Sequence, residues 1–217
     1  MARTALINRR PWLLLALVAA VAFYFLQGSA IGGVWLTLLK GAAVGALSVY
    51  AYLRHTSPDA RILATALAFA AVGDMAIRFS LQAGGVSFAI AHGFAIALYA
   101  RNVRTVPDGK ALAACAVVAL AIGVASWALS FDLLIGVYGL VLGTMASAAF
   151  LSRFPRWRVV TGAALFVVSD LLIFADAGNV LSGALPGLLI WPLYFIGQFL
   201  IATGVIQTLR KDTGAAR

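Results

Sequence analysis

The sequence predicts an all-α, polytopic membrane protein of about eight transmembrane helices, and three observations carry that prediction. Of its 217 residues, 63% are hydrophobic and 11% are charged, and the mean hydropathy is +1.01. A soluble domain carries about twice that share of charge. Most of the chain also divides into apolar runs near the roughly 20 residues needed to span a bilayer. Finally, the bases sit in the short polar connections between those runs. In a soluble protein a net charge of +9 would suggest nucleic acid. Bases placed in this way instead set membrane topology, so no nucleic-acid partner is expected.

Read between polar punctuation, the apolar runs are Trp12–Leu26, Ile31–Leu53, Ile62–Arg78, Val86–Tyr99, Leu112–Leu129, Leu133–Leu151, Val159–Ala175 and Pro192–Leu209. The fourth is short and is expected to need flanking residues or local bilayer thinning. Pro192 is expected in the first turn of the last helix. Asp132 reads as the N-cap of the sixth, and Asp176 lies at the outer end of the seventh. Trp12, Trp35, Trp127 and Trp191 are expected in an interfacial belt. Arg9, Arg10, the first apolar run and Gly28-Ser29-Ala30 have the form of a cleavable signal peptide. Retention is the preferred reading, because the chain resembles two four-span halves, residues 1–104 and 105–217.

Those halves echo each other twice. Leu67-Ala68-Phe69-Ala70-Ala71-Val72-Gly73-Asp74 matches Ala163-Ala164-Leu165-Phe166-Val167-Val168-Ser169-Asp170 in pattern, and His92-Gly93-Phe94 matches Gly197-Gln198-Phe199. Four spans per unit make such repeats parallel. Fourteen of the sixteen bases then fall on one side: Arg3, Arg9 and Arg10, Arg54 and Arg61, and Arg101, Arg104 and Lys110, followed by Arg153, Arg156 and Arg158, and Arg210, Lys211 and Arg217. The positive-inside rule places both termini in the cytoplasm. The single cysteine, Cys115, allows no intramolecular disulfide.

An ionisable group inside a bilayer costs roughly 2.5–3.5 kcal/mol, so it normally faces a partner or a cavity. Lys40, Asp74, His92 and Asp170 are such groups here. At about 1.5 Å of rise per residue, these four and Gln198 are expected at one level, between the midplane and the outer interface. Each also has a structural reading. Asp74 precedes Arg78 by four residues, the favourable helical order for an ion pair, and Lys40 has a stem for snorkelling. His92 suits a bond between helices, while Asp170 has no base within four residues of its own helix and needs a partner from another span. Tyr194 and Gln198 share a helical face, explained equally by packing and by a cavity. There is no glycine-rich phosphate loop, no HExxH and no Gly-x-Ser-x-Gly elbow. With two histidines, no glutamate and one cysteine, a zinc site would have to be built from His92 and aspartates, and neither a metal nor another cofactor is expected.

Gly73-Asp74 closing one helix, His92 in the next, Ser169-Asp170, the Tyr194-Phe195-Ile196-Gly197-Gln198 segment and the upstream Lys40 together resemble the YhhN-like family, which includes the lysoplasmalogenases. The likeness runs over essentially the whole chain; Gly41 follows the lysine where the family often has proline. The resemblance implies hydrolysis of the vinyl ether bond of lysoplasmalogens, with a lysophospholipid substrate taken from the surrounding membrane lipid. It also implies an integral, multi-pass location in a bacterial inner membrane. On this reading Asp74 and Asp170 are the catalytic pair, and Lys40 neutralises a substrate phosphate or one aspartate. His92, Tyr194, Gln198 and Arg78 support the substrate or the site. The alternatives are a small transporter or proton-coupled permease, which also shows parallel repeats and membrane carboxylates, and a non-catalytic lipid-binding protein.

The fourteen-to-one distribution of loop bases predicts the topology directly. Reporter fusions at Ser182 and at the C-terminus are expected on opposite sides of the membrane, and the same side for both would overturn the eight-span reading.

Overall fold

In the computed structural model, residues 11–29 and 33–215 are described, and they form eight helices. These are α1 (Pro11–Leu26), α2 (Gly33–Arg54), α3 (Pro58–Ala76), α4 (Leu81–Arg101), α5 (Gly109–Ser130), α6 (Leu133–Leu151), α7 (Arg156–Ala177) and α8 (Ala184–Ala215). The expected placements of Arg3, Arg9, Arg10, Ala30, Ile31 and Arg217 lie outside the described residues. No strand longer than an isolated bridge occurs among the described residues. Six helices, α2 and α4 through α8, are long and apolar enough to cross a membrane. Of the other two, α1 has 16 residues, about 24 Å of rise, and α3 has the length but carries Asp59, Arg61 and Asp74. Large apolar side chains stand exposed along the helices, Val117 at 64% and Trp35 at 71% among them, as expected where lipid is the solvent.

The helices group into two compact units, one of residues 1–94 with 206–217 and the other of residues 95–205. In the first, α1 packs on α2 and α2 on α3. Small residues make the second contact close. Ala43, Ala46 and Leu47 of α2 are buried, as are Ala60, Ala64, Leu67 and Ala71 of α3. A side chain at Gly41 would come within 2.7 Å of the Met75 Cγ. Ser48 Oγ donates to the Ala64 carbonyl at 2.7 Å, and Ser87 Oγ of α4 donates to the Phe69 carbonyl of α3 at 2.7 Å. These are the small-residue contacts and hydroxyl bonds that join helices where lipid removes the hydrophobic driving force. Ser57 caps α3 by accepting from the Ala60 N–H, with Pro58 in the first turn.

The second unit is built by the same means. Gly123 and Ser126 of α5 face Leu140 and Gly139 of α6, and Gly143 lies 2.7 Å, measured from an added Cβ, from the Ala119 Cα. Gly162 of α7 and Gly197 of α8 meet backbone to backbone; a Cβ on Gly162 would lie 2.6 Å from the Gly197 carbonyl oxygen. As expected, Asp132 caps α6, accepting from the Leu134 N–H at 2.8 Å. The connections after α4 and after α6 are tied together: the Arg104 N–H donates to the Leu151 carbonyl at 3.0 Å and the Arg153 N–H to the Asn102 carbonyl at 2.8 Å.

The expected bounds of two helices are corrected. The fourth helix starts at Leu81 rather than Val86 and has 21 residues, about 31 Å of rise, so it needs no thinned bilayer. Gly84 and Gly85 are both helical, and Gly84 sits against Ile77 where a side chain would collide. The last helix starts at Ala184, and Pro192 lies inside it rather than in its first turn. Membrane helices tolerate an internal proline because neighbouring helices and hydroxyl side chains satisfy freed backbone groups. Trp191, seven residues into the helix and 4% exposed, packs on Tyr194 and Phe195.

The backbone approach at Gly162 yields a stability prediction. Gly162→Val is expected to destabilise by about 1–3 kcal/mol, the usual cost of overpacking, read as a lower melting temperature in detergent. Gly187→Val, with nothing within 4 Å of the added Cβ, is the control. Equal melting temperatures for the two variants would refute the close-approach account.

Candidate functional site

In the first unit the polar centre is an ion pair between neighbouring helices. Lys40 Nζ lies 3.4 Å from Asp74 Oδ1, with the lysine side chain 21% exposed and the aspartate 1%. The close packing of α2 on α3 around Gly41 brings the two within reach. The ammonium also lies 5.9 Å from the centroid of the Phe23 ring of α1, inside the range of a cation–π attraction. Lys40 is therefore held in the protein by a carboxylate and an aromatic face, rather than carried to the interface by its stem.

The same geometry corrects the reading of Arg78 as the i+4 partner of Asp74. Helix α3 ends at Ala76, so Arg78 lies beyond its last turn and the helical spacing does not apply. Its guanidinium instead packs over Gly33 at the start of α2, where no side chain would fit. His92, 3% exposed, is on α4 one turn beyond Phe88. That spacing puts both on one helix face, and the Phe88 ring rests on Gly73, the residue before Asp74.

In the second unit the centre is Asp170 on α7, 6% exposed. Tyr138 of α6 donates its hydroxyl to Asp170 Oδ2 at 2.6 Å. Phe174, one turn beyond Asp170, meets the Tyr138 ring edge to face at 5.8 Å. Phe166, one turn before it, meets Tyr194 of α8 in the same manner at 5.1 Å. Ser169 Oγ donates to the Ile190 carbonyl of α8 at 2.9 Å, so the residue next to Asp170 is tied to the α8 backbone two positions before Pro192. Tyr194 and Gln198 are buried, at 4% and 6% exposure, on one face of α8. Asp132 is the helix cap described above, and Asp176 is exposed near the end of α7.

Tyr138 is the residue that sequence reasoning overlooked. Depth would have found it: Tyr138 lies five residues from the start of α6 and Asp170 seven from the end of α7, so each is roughly 8–11 Å from its helix end on the side where the two helices approach. A tyrosine one-third of the way along an apolar helix reads as packing unless it is matched by level to a carboxylate on the next span.

Residues 35–205, well over half the chain, match the family model described as the YhhN family. No curated protein and no solved structure matches the chain. The chain belongs to the YhhN family.

The ion pair makes a prediction of its own. Removing one partner of a buried pair strands the other charge, at a cost of about 3–5 kcal/mol, with the partly exposed lysine placing this pair at the lower end. Lys40→Met is expected to lower the melting temperature markedly, and Lys40→Met combined with Asp74→Asn to recover most of the loss. A double variant no more stable than Lys40→Met alone would remove the pair from the stability of this unit.

Proposed function

We propose that this YhhN family protein is a membrane lipid hydrolase of the lysoplasmalogenase type. It would cleave the vinyl ether bond of a lysoplasmalogen with Asp74 and Asp170 as the acid–base pair. The observation that supports this most directly is that two helix-borne carboxyls are both buried and both partnered, with an ammonium beside one and a phenol beside the other. Family membership over residues 35–205 supports the lipid-hydrolase class.

The chemistry asks for two carboxyls in different protonation states, the division of labour seen in glycosidases. One, protonated, gives its proton to the β-carbon of the vinyl ether. The π electrons form the new C–H bond, and an ether-oxygen lone pair makes the oxocarbenium ion. The second, ionised, steadies that cation and takes a proton from the water that adds to it, leaving a hemiacetal. When the hemiacetal collapses, its C–O bond to glycerol breaks. The glycerol oxygen takes the proton held by the second carboxyl, and the hemiacetal hydroxyl proton returns to the first. One water is consumed, a fatty aldehyde and a glycerophospho-alcohol are released, and both aspartates are restored. Lys40 balances Asp74 and is within the reading a counter-charge for substrate phosphate, while His92, Tyr194 and Gln198 supply buried polar surface for the headgroup.

Aldehyde release from lysoplasmalogen by the purified protein in detergent is the direct test. Asp74→Asn and Asp170→Asn are each expected to lower turnover at least roughly a hundredfold, the scale of lost general acid–base catalysis, while still inserting and folding. In heavy water, promptly trapped aldehyde is expected to carry one deuterium on the carbon beside the carbonyl. Aldehyde without that label would rule out protonation at carbon, and no aldehyde at all would point to a transporter or a lipid-binding protein instead.

A further inference from the structure

A strongly charged surface lies at the end of the second unit where α4 leads into α5 and α6 into α7. We infer that these two connections, bonded to each other, form a binding platform for an anionic phospholipid, whose headgroup phosphate is held by arginine side chains. The inference is independent of the hydrolase reading. Residues 101–110 and 150–158 carry six bases, Arg101, Arg104, Lys110, Arg153, Arg156 and Arg158, against one acid, Asp108. All seven belong to the compact unit of residues 95–205. Five of the bases are exposed and Arg158 is half-buried. Asp108 is engaged as the cap of α5, accepting from the Ala111 N–H at 2.8 Å.

Bases in loops set topology wherever they lie; these are also fixed by the backbone. Val103 and Ser152 form an antiparallel bridge, flanked by the amide bonds of Arg104 to Leu151 and of Arg153 to Asn102. Alternation along such a ladder puts Asn102, Arg104 and Arg153 on one side of it. There Arg153 donates through Nε to Asn102 Oδ1 at 2.9 Å. At the start of α7 the guanidinium groups lie on aromatic rings. Arg156 stands 4.5 Å from the centroid of Phe150 at the end of α6, and Arg158 stands 4.2 Å from that of Trp157. Stacking uses the face of a guanidinium, whereas phosphate is recognised by its N–H edge, in a fork that matches two oxygens.

The surroundings favour a lipid over a soluble anion. Trp157 and Val106 are exposed beside the bases, so apolar surface stands among the charges. That mixture suits the boundary between headgroups and acyl chains, where amphipathic rings concentrate. Helix α7 has no acid in its first turn and no side-chain cap on its N-terminus, so its dipole adds to the positive field. Gathering like charges on bonded loops costs energy that a bound anion recovers. Basic pockets between helix ends take anionic headgroups for this reason. A zwitterionic lipid offers the same phosphate together with an ammonium that the field repels.

The test uses the full-length protein in detergent, with phosphatidylglycerol and phosphatidylcholine as probes. Binding is read as the lipid-dependent rise in melting temperature that a ligand of the native state produces. The wild-type protein is expected to bind phosphatidylglycerol about tenfold more tightly than phosphatidylcholine. Arg104→Gln combined with Arg156→Gln is expected to abolish most of that preference. Arg210→Gln combined with Lys211→Gln, which removes the same charge outside the platform, is expected to keep it. Equal binding of the two lipids by the wild type, or equal losses in the two double variants, would overturn the inference. Displacement of phosphatidylglycerol by an equal concentration of inorganic phosphate would overturn it too, by making the site one for a soluble anion. A second measurement needs no variant: raising salt from about 0.05 to 0.5 M is expected to weaken phosphatidylglycerol binding severalfold, and an affinity indifferent to salt would also refute the platform.

Discussion

The arrangement of polar residues in this chain follows from one constraint: an ionisable side chain within a lipid-solvated helix must find its partner on another helix. Water is not available as the alternative, and the cost of leaving a buried charge alone is several kcal/mol. Helix contacts that bring partners together are therefore selected along with the partners. Lys40 reaches Asp74 because α2 and α3 approach closely at Gly41 and Ala71, and Asp170 meets Tyr138 where α6 packs on α7. The small-residue seams and the polar pairs are two aspects of one packing solution.

Much of this was legible in the sequence, and the legible parts share a physical cause. Apolar runs report membrane spans because a polar backbone in lipid must be helical, so α6 matches its expected limits at both ends, Leu133 and Leu151. Asp74, Asp170, Lys40 and His92 stand out because charge within an apolar run is rare, and each proves to be in a helix and inside the protein, fully or in part.

What was not legible depends on contacts between helices. Pro192 is read locally as belonging to a first turn, yet it lies inside α8, among the packed aromatic residues Trp191, Tyr194 and Phe195. For Asp74 the i+4 rule offered Arg78, while Lys40 was open as the counter-charge of either aspartate; the pair formed is with Lys40 of α2, and no spacing rule connects position 40 to position 74. Tyr138 was passed over for a related reason. Its hydroxyl is a minor feature of an amphipathic ring until the helix beside it supplies an acceptor.

The difference between the two partners bears on what a membrane enzyme can do with a carboxyl. An ammonium contributes a full charge, and that stabilisation is lost whenever the carboxyl is neutral. A carboxyl beside an ammonium is favoured as its anion. A phenol contributes a dipole, which remains satisfied by the acid and gains when the acid ionises. Helices in lipid place such pairs on rigid backbones rather than on loops, which suits catalysis by fixed dipoles. In this chain the serine before Asp170 bonds to the carbonyl of Ile190, two residues before Pro192. The proline-containing stretch of α8 and the peptide beside Asp170 are thereby joined through one hydroxyl.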